Sequence, residues 1–200
     1  MSKPTVTIYS DNICPYCTIG AKRLSALEKE LNFKIEWKAF EIHPDTPKEG
    51  MLTSDYFKNM DFDQMKNRIE EFGDDVNMKV NGNLLANSKL SLAANNFAQQ
   101  KGKFSQFHEG IFKANFEEGK NIGDLEVLLE IAEESGLDRE ELTAFLSNEK
   151  NLQDVTDSSK EAQALGITGV PTFIINNKAV VGAQPTEVLR EFLQTELAVS

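Results

Sequence analysis

Apolar and polar residues alternate over "TVTIY" at residues 5–9. Val6 and Ile8 point one way and Thr5, Thr7 and Tyr9 the other, the period-two pattern of a half-buried strand. Asp11–Asn12 break that run. From Pro15 the period lengthens: Leu24, Leu27 and Leu31 recur at helical spacing and predict a helix over 15–31. Pro15 suits its first turn, where a missing amide proton costs nothing. Alternation returns over "FKIEWKAF" at 33–40, with Phe33, Ile35, Trp37 and Ala39 on one side and Glu36 opposite Trp37. A strand, a helix and a second strand in about forty residues predict a right-handed crossover with two parallel strands.

Pro44 and Pro47 in "EIHPDTPKEG" end that unit as a loop. The next hundred residues read as helical. Phe57, Met60, Met65, Ile69 and Phe72 give an apolar stripe up to Gly73. Residues 74–88 are irregular, and Ser88 is placed as the cap of a helix over 89–100. Further helices fit 104–118, 124–135, 138–147 and 151–165, with Asp124 and Asp138 as N-caps. After Gly166 strand texture returns in "TFII" (172–175) and "KAVV" (178–181), joined by a two-residue Asn176–Asn177 hairpin. Pro185 then opens a last helix. The chain therefore reads βαβ, a helical block, then ββα. The outer units share one sheet, which makes the fold α/β, with residues 1–49 and 161–200 as one domain and 50–160 as an all-helical insertion.

With 200 residues, 40% of them hydrophobic, the chain can bury a substantial core without crosslinks or a structural metal. A net charge of −11 disfavours nucleic acid and anionic membrane surfaces as partners. No apolar run approaches roughly 18 residues, so no membrane span is expected. The opening "MSKPTVTIYS" has no apolar core of a secretory signal, which points to the cytoplasm.

The chain has two cysteines, and both lie in "SDNICPYCTIG". In a reducing compartment such a pair is catalytic, redox-sensing or metal-binding more often than structural. At the start of a helix, unpaired amide protons and the positive end of the macrodipole favour a thiolate at Cys14. Cys17, one turn deeper, can then attack a mixed disulfide and release the partner. The same spacing occurs in zinc knuckles, but zinc takes four ligands. The remaining candidates, His43 and His108, lie far apart with no ligand-like spacing, so no metal is expected. An inert pair is the third reading. A second motif is "GVPTF" at 169–173, where Pro171 immediately precedes a strand. It is either an ordinary strand-start proline or the site of a cis Val170–Pro171 bond. Other side chains carry weaker signals. Trp37 and His108 could line a cleft, although core packing accounts for both. His43 reads as a solvated loop residue. Glu36 or Glu41 could move protons for Cys17.

"CPYC" after a first strand and "GVPTF" before a late one resemble the thioredoxin superfamily, and the helical insertion between them resembles its DsbA branch. "WKAFEIHPDTPKEG", "GKFSQFHEGIFKANFEEGKNIGD" and "EAQALGITGVPTFIINNKAVVGAQP" are similar to the FrnE-like subgroup of DsbA-type oxidoreductases, relatives of 2-hydroxychromene-2-carboxylate isomerase and kappa-class glutathione transferase. The resemblance spans nearly the whole chain. It implies a thioredoxin-like fold with an inserted helical domain and disulfide exchange with protein or small-molecule thiols and disulfides. It further implies Cys14 as nucleophile, Cys17 as resolving thiol, and Pro15 and Tyr16 as the dipeptide that helps set redox potential. Val170–Pro171 falls on the family's cis-proline loop, which faces the cysteines and pairs with an extended substrate. Prototype periplasmic members carry histidine where Tyr16 stands. No cofactor is required, with glutathione an open possibility as substrate or reductant. A glutathione-dependent transferase or isomerase is the alternative activity, and a thiol-bearing chaperone or binding module the alternative of another class. The "GAQP" loop at 182–185 could line the same cleft.

Overall fold

The computed structural model describes residues 3–198; residues 1–2 and 199–200 of the expected outer unit lie outside them. Strand β1 (Thr5–Ser10) leads into helix α1 (Pro15–Leu31), and β2 (Lys34–Ala39) returns parallel to β1 with Ile8 opposite Trp37. Asn32 closes α1 in the left-handed conformation, its N–H bonding to the Glu28 carbonyl. That is a conformation asparagine tolerates, and it lets the chain turn at once into β2. Late in the chain come β5 (Thr172–Ile175) and β6 (Lys178–Val181), both antiparallel to their neighbours, giving the order β2-β1-β5-β6. Asn176 and Asn177 both take positive φ, the backbone of a two-residue hairpin turn matched to the strand twist.

The period-two pattern becomes two faces. Val6, Ile8, Phe173 and Ile175 pack against Leu24 and Leu27 of α1 and against Leu189 and Leu193 of α9 (Thr186–Leu197). On the opposite face, Tyr9 and Phe40 meet Ala162 of α8 (Glu149–Ala164). The helices between β2 and β5 build a core of their own. They include α4 (Lys89–Gln100), α5 (Phe104–Phe112), α6 (Leu125–Glu134) and α7 (Arg139–Leu146). Asp124 and Asp138 cap α6 and α7 through side-chain bonds to the N–H groups of Glu126 and Glu141. Each such cap supports its helix by about 1 kcal/mol.

Several expectations are corrected. The stripe from Phe57 to Phe72 is not one helix. A single turn, α2 (Thr53–Tyr56), is followed by α3 (Phe62–Phe72), which Asp61 caps through the Gln64 N–H. The cap competes with helix continuation, leaving Phe57 and Met60 in the connection. The four-stranded sheet is not alone, and the stretch 50–160 is not all helical: β3 (Met51–Leu52) pairs with β4 (Leu84–Leu85), which lies in the stretch read as irregular. Two-residue strands are too short to show a period. Ser88 occupies the cap position of α4, yet it is Asn87 whose side chain accepts from the Lys89 N–H. The helix over 104–118 changes to a π turn at Lys113–Glu117, and α8 starts two residues early because Asn148 caps it.

Candidate active site at the start of the first helix

The end of β1 and the first turn of α1 place both thiols. Cys14 is the N-cap residue of α1, with extended backbone and no side-chain capping bond, and Pro15 follows. Its carbonyl accepts from the N–H groups of Cys17 and Thr18, at 3.0 and 3.3 Å. Cys14 and Cys17 lie 3.5 Å apart as free thiols, well beyond the roughly 2.05 Å of an S–S bond. Cys14 is 7% exposed and Cys17 0%. Burial pushes the Cys17 thiol well up, and neighbouring Cys14 adds to this, while the Asp11 N–H and the Ser10 hydroxyl pull it down. Two sulfurs in one helical turn thus differ: both residues are buried, but Cys14 keeps a small exposed edge and Cys17 keeps none.

The Val170–Pro171 bond is cis, and the Cys14 thiol points at the Val170 carbonyl across 3.8 Å. Gly20 allows this approach. A Cβ there would sit 2.9 Å from the Pro171 ring and 3.0 Å from Phe173. The loop following β6 supports Pro171 from behind, since the Gly182 N–H donates to the Pro171 carbonyl at 2.7 Å. "GAQP" therefore braces the Pro171 loop through the Gly182 backbone. Tyr16 is exposed beside the thiols and meets Phe72 edge-on, with centroids 5.5 Å apart. Together with Met60, Met65 and Arg68 it borders a cavity of about 310 Å³.

The other sequence candidates go elsewhere. Trp37 stacks on Phe104 at 4.6 Å and meets the edge of His108 at 4.5 Å. The two do line a cleft, of about 470 Å³, but its walls are the middle of α1, β2 and α5, and neither cysteine is among them. His108 is 5% exposed, and burial pushes its pKa down to about 3. His43 is not simply solvated: it is half-buried, and its Nδ1 meets the Tyr56 hydroxyl at 2.9 Å. Glu36 takes the Thr7 hydroxyl at 3.0 Å, and Glu41 faces Thr156 at 3.4 Å. Neither is among the groups that act on Cys17. Among the described residues no group of three or more His, Cys, Asp or Glu is placed to hold a metal ion.

Residues that sequence reasoning passed over surround the thiols. Asp11, read as a strand breaker, is fully buried. Its peptide N–H donates to the Cys17 sulfur at 3.5 Å and its carbonyl accepts from the Cys14 N–H at 3.2 Å. Its carboxylate takes the N–H groups of Ile13 and Ile42, and burial raises its pKa to about 6. Arg23, 5% exposed, bonds in two places to Asp75 and donates to the carbonyls of Phe72, Ala183 and Gln184. One signal for it existed: Ile19, Arg23 and Leu27 fall four residues apart on the apolar side of α1.

The uncharacterized protein YwbO of Bacillus subtilis (strain 168) is 29% identical over 194 residues, covering 96% of both chains. The crystal structure of a probable DsbA oxidoreductase, SCO1869 of Streptomyces coelicolor, superposes with a TM-score of 0.87 at 24% identity, over 98% of this chain and 90% of that one. The cytosolic disulfide reductase DsbM of Pseudomonas aeruginosa, solved with GSH, gives 0.69 at 23% identity, over 97% and 99%. A profile of the DSBA-like thioredoxin domain matches residues 5–194, nearly the whole chain, and the protein belongs to that family.

Proposed function

We propose that the protein is a thiol–disulfide oxidoreductase working through Cys14 and Cys17. The observation that carries this reading is the pair of free thiols 3.5 Å apart, one reachable and one enclosed, with the Val170 carbonyl 3.8 Å from the outer sulfur. The Cys14 thiolate attacks a substrate disulfide. A Cys14–substrate bond forms, the substrate S–S bond breaks, and the first substrate thiolate leaves and takes up a proton. Cys17 then gives its proton to water and attacks the Cys14 sulfur. The Cys14–Cys17 disulfide forms and the second substrate thiolate departs, so two protein sulfurs are oxidised and two substrate sulfurs reduced. Run backwards, the same steps oxidise a dithiol. Direction follows the potential of the pair against its surroundings.

The substrate lies along residue 170, where backbone groups before β5 are available to an extended chain. Exposed Tyr16, between the two cysteines in sequence, meets exposed Phe72 and offers apolar surface next to the pair. Pro15 and Tyr16 set the environment between the sulfurs. A reducing, cytoplasmic setting fits a chain whose cysteines are confined to the reactive pair. No membrane partner is part of the reading, and among the described residues no helix is long and apolar enough to cross a membrane.

The test is reduction of insulin and of small disulfides with and without glutathione. Cys14→Ser is expected to abolish exchange, and Cys17→Ser to accumulate mixed disulfides through Cys14. Turnover with dithiols alone supports this reading. Activity seen only with glutathione supports the transferase or isomerase alternative, which the glutathione-bound structure of DsbM brings into view. Binding without turnover would make the protein a chaperone or binding module.

A further inference from the structure

The loop between β1 and α1 is fastened from the helical block. Asn12 is 1% exposed, and its amide is used at both ends. Its Nδ2 donates to the Ser91 hydroxyl at 2.9 Å, and its Oδ1 accepts from Asn95 Nδ2 at 2.9 Å, both on α4. The Ser91 hydroxyl in turn donates to the Ser88 carbonyl at 2.9 Å. The Asn12 carbonyl accepts from Asn115 Nδ2 at 3.3 Å, and Asn115 belongs to the π turn that interrupts the helix after Phe112. π turns recur at functional sites because they redirect a side chain without ending the helix. Three buried side chains from the helical block thus converge on one residue of the active-site loop.

The residue immediately before Asn12 meets both cysteines, through two successive peptide groups. The Asp11 N–H is directed at the Cys17 sulfur and the Asp11 carbonyl holds the Cys14 N–H. An N–H directed at sulfur is worth most when that sulfur is charged. For Cys17 that moment is the resolving attack, since it is enclosed and starts as a thiol.

We propose that Asn12 is a positioning residue for the resolving step: through Ser91, Asn95 and Asn115 the helical block fixes the loop at Asn12, and with it the adjoining Asp11 backbone, so that the Asp11 N–H meets the Cys17 thiolate. The inference rests on the exchange chemistry proposed above. In that step the Cys17 proton goes to water, the Cys17–Cys14 bond forms, and the electron pair of the breaking Cys14–substrate bond leaves on the substrate sulfur. Asn12 does not touch the reacting atoms. It keeps the donor in place while charge moves from one sulfur to another.

The experiment follows a limiting amount of Ellman's disulfide mixed with fully reduced protein in a stopped-flow instrument. Release of the first thionitrobenzoate reports attack by Cys14. Release of the second, from the Cys14 mixed disulfide, reports attack by Cys17. Asn12→Ala and Asn95→Ala are expected to slow the second phase about tenfold, the scale of one hydrogen bond to a charged group, and to leave the first within about twofold. Ser91→Ala should act in the same direction. Leu142→Ala, in the core of α7, serves as a destabilised control with both phases within about twofold of wild type. Should Asn12→Ala fail to fold, Asn95→Ala and Ser91→Ala carry the test, because they leave the loop sequence untouched. A second phase unchanged in those variants, both phases slowed alike, or the same slowing in Leu142→Ala would overturn the proposal. Failure of the exchange reading itself looks different: the wild-type protein then releases no second equivalent.

Discussion

Gly20 offers a sharp perturbation, because helix propensity and packing make opposite predictions for Gly20→Ala. It lies inside α1, where replacing glycine by alanine ordinarily stabilises by about 1 kcal/mol. Its missing side chain, however, is the space into which the Pro171 loop fits. The new Cβ would stand 2.9 Å from Pro171 Cγ and 3.0 Å from Phe173 Cζ. Carbon atoms pack best at about 3.5–4.0 Å, so α1 and the Pro171 loop have to part by about 0.6 Å or more. Both obstacles are ring atoms, and Phe173 is wholly buried in the core under the sheet, so neither yields by a rotamer change. Overpacking of this kind costs about 1–3 kcal/mol. Set against the propensity gain, the variant should be less stable than wild type by about 1 kcal/mol. The same separation lengthens the 3.8 Å approach of Cys14 to the Val170 carbonyl, so exchange with a polypeptide disulfide should slow more than exchange with a small one. Urea unfolding followed by circular dichroism gives the first quantity, and stopped-flow exchange the second. A Gly20→Ala protein about 1 kcal/mol more stable than wild type, with unchanged exchange, would show that the close approach plays no part.

Arg23→Met should lose about 1–3 kcal/mol, because the carbonyls of Phe72, Ala183 and Gln184 are left without their donor while the half-exposed Asp75 carboxylate turns to water; Arg23→Lys should not rescue it, since one ammonium cannot reproduce the planar fork, and urea midpoints decide. Asp75→Asn, on the half-exposed side of the pair, should cost no more than about 1 kcal/mol. His108 and Asp11 should pull stability in opposite directions on acidification. The unfolded state protonates His108 near 6.5 but the folded state only near 3, so its contribution is lost as pH falls from 6.5 towards 3 and amounts to about 3 kcal/mol by pH about 4.5. Asp11 is protonated near 6 when folded and near 3.8 when unfolded, so the fold gains about 2 kcal/mol over the same descent. Relative to wild type, His108→Leu should therefore resist acid and Asp11→Asn should suffer from it; urea titrations at pH about 7 and about 4.5 that show no such divergence would refute the burial argument. Iodoacetamide labelling of the reduced protein should modify Cys14 well before Cys17, which is enclosed and whose thiol burial holds in its protonated form; peptide mapping that finds Cys17 first would reverse their roles.

What the sequence determined by itself is whatever short-range periodicity and chain chemistry express. The alternation of Val6 and Ile8, the spacing of Leu24, Leu27 and Leu31, and Pro15 just after Cys14 place a strand, a helix and two thiols before any long-range contact is considered. Asp124 and Asp138 act on amides two or three residues away, so their caps were legible for the same reason. Strands β1 and β2 were legible from alternation over several residues, and β5 and β6 from short β-branched runs on either side of the Asn176–Asn177 turn. The pair β3–β4 was not, since two residues carry no period and the whole stretch 53–83 separates the partners. The identity of the residues around the thiols was likewise decided in three dimensions. Asp11 and Asn12 look like a polar break in one dimension. Only the return of residue 42 and the arrival of α4 and the π turn give their buried polar groups partners. Glu36 and Glu41, equally acidic and equally near a strand, end facing Thr7 and Thr156 instead. The reason is physical. A buried polar group is stable only where partners meet it, and those partners come from segments up to about a hundred residues away, whose meeting is set by the packing of the whole chain.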